Sequence, residues 1–254
     1  VYVVWGEYSS DDGGRADMLM FQMWDGQTWS PPNDIAFQGH LPQIAVDSQG
    51  RLHLVRIVWH SLVYNRAWAQ AGPSNAQAWT PDQDIGIGDP YWPHMIVDSQ
   101  DRIHVVFADE GSINYTRSTD GGDSWSDPVQ LDPHVSAETP RLAVDRFDNV
   151  YVTWQYLAES VAGEDPSAIA VGFSVSTDGG ETWSQPRKIV TGEIGYEYPQ
   201  AAVDSTGTIH VVWYYRYSGN VGYVRSLDGG ESWSQVERLR LPLGGAYSIG
   251  LAID

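Results

Sequence analysis

Four proline-led segments recur along the 254-residue chain, at Pro42, Pro93, Pro140 and Pro199, and a fifth has Ile249 in the proline's place. The residues just ahead of them carry the side chains best suited to chemistry. Two places before stand His40, Tyr91, Glu138, Glu197 and Tyr247, and one place before stand Leu41, Trp92, Thr139, Tyr198 and Ser248. Carboxylates facing one another across a cleft, such as Glu138 and Glu197, can serve as acid and base or as acid and nucleophile on a glycosidic bond. Aromatic faces stack on sugar C–H surfaces while their polar tips stay wet. An arginine fork receives a carboxylate bidentately, and Arg141 and Arg216 fall in the same neighbourhood. The candidate ligand-binding set is His40, Tyr91, Trp92, Glu138, Glu197, Tyr198, Tyr215 and Tyr247. No catalytic residue is assigned; the candidates are Glu138, Glu197, Tyr198, Arg141 and Arg216. The plainer reading of the same residues is packing plus a solvated acidic rim.

Short strands must position these groups. Each proline opens an apolar stretch ending in Asp, as in Pro42-Gln-Ile-Ala-Val-Asp47 and Pro93-His-Met-Ile-Val-Asp98, repeated at Asp145, Asp204 and Asp254. Five residues on comes a second strand: Leu52-His-Leu-Val, Ile103-His-Val-Val, Val150-Tyr-Val-Thr and Ile209-His-Val-Val. A third alternates, as in Ile113-Asn-Tyr115-Thr-Arg117, and a short fourth follows, as in Val129-Gln-Leu131. No helical period of useful length appears. Four short strands every fifty residues or so, with turn signals between, make the blade of a β-propeller. The fold class expected is all-β, with four-stranded antiparallel blades. His53, His104 and His210 share a strand slot with Tyr2 and Tyr151, so they read as packing residues rather than metal ligands.

Between third and fourth strands the chain repeats Ser118-Thr-Asp120-Gly-Gly122-Asp-Ser-Trp125, Ser176-Thr-Asp178-Gly-Gly180-Glu-Thr-Trp183 and Ser226-Leu-Asp228-Gly-Gly230-Glu-Ser-Trp233. Worn copies end at Trp29 and Trp79. Glycines supply the positive φ of a tight turn, the Asp accepts turn amides, and the Ser closes a neighbouring donor. This pattern resembles the Asp-box, or bacterial neuraminidase repeat, of sialidase-like propellers. The resemblance implies a structural role for these residues, on the face opposite the active site. It also implies six blades and a sialidase chemistry built on three carboxylate-clamping arginines, a Tyr nucleophile backed by Glu, and an Asp acid/base. The family's Arg-Ile-Pro signature is absent here, and only Arg141 and Arg216 fall at the expected mouth, while Arg117 and Arg225 read as blade surface or inter-blade ties. Arabinan-cleaving five-bladed propellers also use acidic residues at the mouth, though those families lack Asp-boxes.

Five repeats predict five blades. Val1 has the phase of a residue five after a repeat Asp, and the chain stops on such an Asp, so segment 248–254 is expected to be the innermost strand of the blade formed by residues 1–38. That pairing closes the ring and removes an open edge. One domain, 1–254, is expected.

The composition bounds the partners. With 33 acidic and 14 basic residues the formal charge is −19, which argues against nucleic acid and anionic membranes and also against an anionic sialoside. Cysteine is absent, and lysine appears once, at Lys188. No apolar run reaches the length of a membrane span. Neither Asp11-Asp12 nor the acidic stretch 82–89 has EF-hand spacing, and both read as solvated loops. No metal and no cofactor is expected. Acidity and scarce lysine fit a secreted protein. The expected function is an extracellular, non-catalytic binding or scaffold module for carbohydrate or a protein surface; the alternative is a glycoside hydrolase acting at the propeller mouth. Oligomeric state is left open.

Overall fold

In a computed structural model the described residues are 1–8, 16–35, 38–72, 76–133, 136–157, 170–191, 196–215, 220–239 and 250–252. They form an all-β propeller of five sheets in chain order. Blade 1 holds β1 (Tyr2–Tyr8), β2 (Ala16–Met23) and β3 (Asn33–Asp34). Blade 2 holds β4 (His40–Val46), β5 (Arg51–Val58), β6 (Ser61–Trp68) and β7 (Gln83–Asp84). Blade 3 runs β8 (Pro90–Val97), β9 (Ile103–Asp109), β10 (Ser112–Ser118) and β11 (Val129–Asp132). Blade 4 runs β12 (Ala137–Val144), β13 (Val150–Tyr156), β14 (Ala170–Ser176) and β15 (Arg187–Thr191). Blade 5 runs β16 (Tyr196–Val203), β17 (Ile209–Tyr215), β18 (Val221–Ser226) and β19 (Glu237–Leu239). Every blade is an antiparallel meander, and β4, β8, β12 and β16 lie side by side as its innermost strands. Blade 1 has three strands among the described residues. Of the closing strand expected from 248–254, residues 250–252 are described and are not in a strand, and the rest lies outside the described residues.

The core lies between blades, not within one sheet. Leu19, Phe21 and Ile35 of blade 1 meet Leu52, Leu54 and Trp79 of blade 2. Val55, Ile57 and Tyr64 meet Met95, Val105 and Phe107 of blade 3. The pattern continues with Val106 and Tyr115 against Val152 and Trp154, then with Val171 and Phe173 against Val211 and Trp213. A middle strand is covered on both faces, which is why β13 is buried throughout and is mostly apolar, with Thr153 and Gln155 as its buried polar residues. Trp154 and Trp213 lie flat over Gly172 and Gly222, their paired residues on the next strand; a Cβ on either glycine would come within 2.1 Å of the indole.

One end of the blades is locked by repetition. Ser118 Oγ donates to Asp120 at 2.8 Å and accepts the Gly122 amide at 2.8 Å, while Asp120 Oδ1 accepts the amides of Asp123 and Ser124. Asp178 and Asp228 repeat the arrangement with Ser176 and Ser226. Each Asp-box Trp then packs edge-on against an aromatic ring of the preceding blade: Trp125 on Tyr64 at 4.9 Å, Trp183 on Tyr115 at 4.7 Å, Trp233 on Phe173 at 5.2 Å. Arginines stitch the same seams. Arg66 donates to Gly121 O and Asp123, Arg117 to Gly179 O and Glu181, and Arg187 to Gly230 O and Glu231. Of the two readings open for Arg117, blade surface or inter-blade tie, it takes the second.

The turn from first to second strand carries a second lock. Asp47 Oδ1 accepts the amides of Gln49 and Arg51, and its Oδ2 meets His53 Nε2, whose Nδ1 faces Tyr64 OH at 2.7 Å. Asp98–His104–Tyr115 and Asp204–His210–Tyr223 repeat this relay, and in blade 4 it shortens to Tyr151 donating to Asp145. The histidine slot is thus a packing slot with a hydrogen-bonding task.

Candidate functional site

The opposite end, where the innermost strands begin, keeps one backbone and varies its side chains. Register slips at each entry, between His40 and Gln43, Tyr91 and His94, Glu138 and Arg141, Glu197 and Gln200. The residue before each proline is left-handed: Leu41 (φ 51), Trp92 (φ 50), Thr139 (φ 50) and Tyr198 (φ 52). A bulge tolerates the proline's missing N–H and re-aims the side chains around it. Four non-glycine residues at positive φ mark strain at one ring of positions, where function collects.

The bulges bring distant residues together. Trp92 of blade 3 and Tyr198 of blade 5 meet edge-to-face with ring centroids 6.4 Å apart, spanning the width of blade 4. Tyr198 is held by its amide, which donates to Gln155 Oε1 at 3.2 Å. His94 Nδ1 accepts the Leu142 amide at 3.2 Å, so its proton is assigned to Nε2. Burial first, and the Arg141 charge second, hold the His94 pKa down to about 3, so the ring is neutral. Arg141 itself donates to Pro140 O at 2.9 Å, and burial lowers its pKa. Among the described residues no carboxylate forms an ion pair with Arg141. Glu138 is half-buried, and burial raises its pKa above the ordinary carboxylate value. Glu197 is half-buried at the equivalent place in blade 5. His40 is half-buried on β4, with its pKa lowered by burial.

A second group lies on the outer rim. Asp89 takes the Tyr91 hydroxyl at 2.9 Å and faces His60 Nδ1 at 2.9 Å, and its own amide donates to Asp109. Tyr91 remains 46% exposed and Trp59, on the adjacent β5–β6 hairpin, 66%. Asp82, in the same acidic stretch, accepts from Arg56 and Asn65.

The remaining sequence candidates separate clearly. Tyr215 is 4% exposed, set edge-on to Trp213 with the Arg238 guanidinium over its ring, so it belongs with the inter-blade packing residues rather than with the exposed aromatics. Its counterpart in blade 4, Tyr156, donates to the buried Asp132, which also takes Trp154 Nε1. Arg216 and Tyr247 lie outside the described residues. His94 is a mouth residue that the sequence reading did not mark as a site; Gln155 gave no sequence signal, since a glutamine on a buried strand is legible only through its partner.

The described mouth can thus offer an aromatic pair, one half-buried arginine, a neutral imidazole and carboxylates, which suits stacking on a ring and hydrogen bonding to hydroxyls. Comparison with known proteins agrees with this architecture. An unknown-function protein from Dyadobacter fermentans superposes with TM-score 0.59 at 15% identity, over 81% of this chain and 70% of that one. An α-L-arabinanase from Penicillium chrysogenum, solved with arabinobiose, gives 0.58 at 14% identity, over 91% and 76%. The NanB sialidase from Streptococcus pneumoniae gives 0.52 at 14%, over 78% of this chain and 32% of that one, so the chain spans about a third of the sialidase. These identities speak for the fold. A search of curated proteins returns no sequence match. The BNR repeat-like domain matches residues 8–211, and with Asp-boxes on three successive blades the chain belongs to that family.

Proposed function

We propose that this protein is a carbohydrate-binding propeller, one domain over residues 1–254, working outside the cell without catalysis. The observation that carries the reading is the Trp92–Tyr198 pair, brought from two non-adjacent blades to one point of the mouth. A saccharide ring stacks on such faces, while Glu138, Arg141 and His94 Nε2 accept from and donate to its hydroxyls. The arabinanase and sialidase neighbours support a sugar as the ligand class. The −19 charge and single lysine support an extracellular setting and speak against polyanionic partners. A non-catalytic role is supported by the absence of the Arg-Ile-Pro signature from the sequence. The test is a glycan array followed by calorimetry on the best ligand: Trp92→Ala and Tyr198→Ala are expected to weaken binding about tenfold each, and binding indifferent to both overturns the reading.

One observation favours hydrolysis instead. Glu138, its pKa raised by burial, has the property of a general acid, with Glu197 at the matching place in the next blade. Turnover of a fluorogenic glycoside, abolished by Glu138→Gln or Glu197→Gln, would replace binding by catalysis.

A further inference from the structure

The opposite end of blade 2 departs from its neighbours. From Ala67, paired with Leu52, to Trp79 the chain takes five residues more than from Ser118, paired with Ile103, to Trp125. The longer loop replaces the Asp-box by two short 3-10 turns, 69–71 and 76–78, the first closed by left-handed Gly72 (φ 62). Beside this loop lies an open cavity of about 240 Å³ lined by Arg51, Arg66, Ala67, Trp68, Ala78 and Thr80.

Its walls are arranged for a ligand with a flat face and an acidic edge. Trp68 is 53% exposed, with the Arg51 guanidinium 5.9 Å from its ring centre. Arg51 is fixed by Nε donating to Asp47 Oδ2 at 2.6 Å and by lying against Gly121 of blade 3, where a Cβ would meet Nη1 at 2.3 Å. Among the described residues both Nη groups of Arg51 make no hydrogen bond; both lie against Gly121, 2.3 and 2.4 Å from where a Cβ would stand, in a side chain 19% exposed. Asp47 and Asp123 balance Arg51 and Arg66, so this spot is nearly neutral in a chain of charge −19.

We propose that this cavity is a second ligand site, independent of the mouth, for a single sugar ring that carries a carboxylate. The ring lies on Trp68 and the carboxylate meets the two Nη groups of Arg51. A cavity of this size, below the roughly 300 Å³ of drug-sized sites, admits one monosaccharide.

Titration of the 15N-labelled protein with D-galacturonate tests this. The Trp68 indole N–H resonance, assigned by its absence in Trp68→Ala, is expected to move, and galactose at the same concentration is expected to leave it in place. Trp68→Ala should weaken galacturonate binding at least fivefold, and Arg51→Lys, which keeps the charge and removes the fork, should do likewise with the fold intact by circular dichroism. If Arg51→Lys fails to fold, the Trp68 titration stands alone. An unmoved Trp68 signal overturns the site. An equal response to galactose overturns the carboxylate specificity.

Discussion

The two ends of the propeller are built on opposite rules. At the Asp-box end, equivalent positions carry the same residue: Asp47, Asp98, Asp145 and Asp204 all close the first turn, and Asp120, Asp178 and Asp228 the second. At the mouth, positions of the same bulged backbone carry His40, Tyr91, Glu138 and Glu197, then Leu41, Trp92, Thr139 and Tyr198. Repeated chemistry on a repeated backbone solves a problem each blade has, namely satisfying turn amides and sealing a seam. Unlike chemistry on a repeated backbone solves a problem only the assembled ring has. Blade 2 departs from this rule: its turn has lost the Asp-box, and a cavity lies beside it.

Truncation breaks this contrast most sharply in the seam. Trp213→Ala removes a fully buried indole between blades 4 and 5 and is expected to cost about 3–5 kcal/mol in urea unfolding. Gly180→Ala comes next, at about 1–3 kcal/mol, because the residue sits at φ 86 and a Cβ would press on Tyr115 OH at 1.9 Å. At the mouth, Trp92→Ala is expected to weaken saccharide binding by about 1.4 kcal/mol, a factor of ten, and to shift stability less than the base variants do; a larger loss of stability than of affinity would erase the distinction between the ends.

Acid sharpens the comparison further. Burial holds His53 to about 4 and His94 to about 3, from 6.5, so the stabilisation from their neutral forms is present above pH 6.5 and is lost as pH falls from there, toward 4 for His53 and toward 3 for His94. Against a burial penalty, hydrogen bonds from Ser124 and Ser118 bring Asp120 to about 2, from 3.8, and those from Thr182 and Ser176 do the same for Asp178. Their stabilisation is present above pH 3.8 and is lost as pH falls toward 2. A thermal melting series should show two acid stages. His94→Gln, which keeps an acceptor for the Leu142 amide, should shrink the first and leave the second, and an unchanged first stage counts against the neutral-histidine assignment.

Much of this was legible because it is local. The Asp-box and its ligand amides lie within eight residues, so the motif predicts an Asp accepting turn amides and a Ser closing a neighbouring donor; the structure names them as Ser124 and Gly122 in the third blade. The alternating strands and their order follow from period and turn chemistry in the same way. The x-Pro dipeptides marked the mouth, but their left-handed geometry did not follow, since the residue before proline ordinarily prefers extended backbone and here the bulge overrides it. Tyr215 reads as a strand-exit aromatic next to Tyr214 and is instead sealed against Trp213 by the neighbouring sheet. The Asp–His–Tyr relays were half visible, the histidine slot by its repetition, the tyrosine only once β10 and its equivalents pair with the second strands.

From the amino-acid order alone come the all-β class, five repeats, the blade boundaries and the Asp-box turns, since each depends on strand period or on interactions within a turn. The tertiary structure decided the rest: that Trp92 and Tyr198, more than a hundred residues apart, share one point of the mouth; that Arg141 stands there without a carboxylate among the described residues; and that the widened loop of blade 2 leaves a cavity. These are set by how sheets stack around an axis, a packing geometry that brings together side chains with no sequence spacing in common.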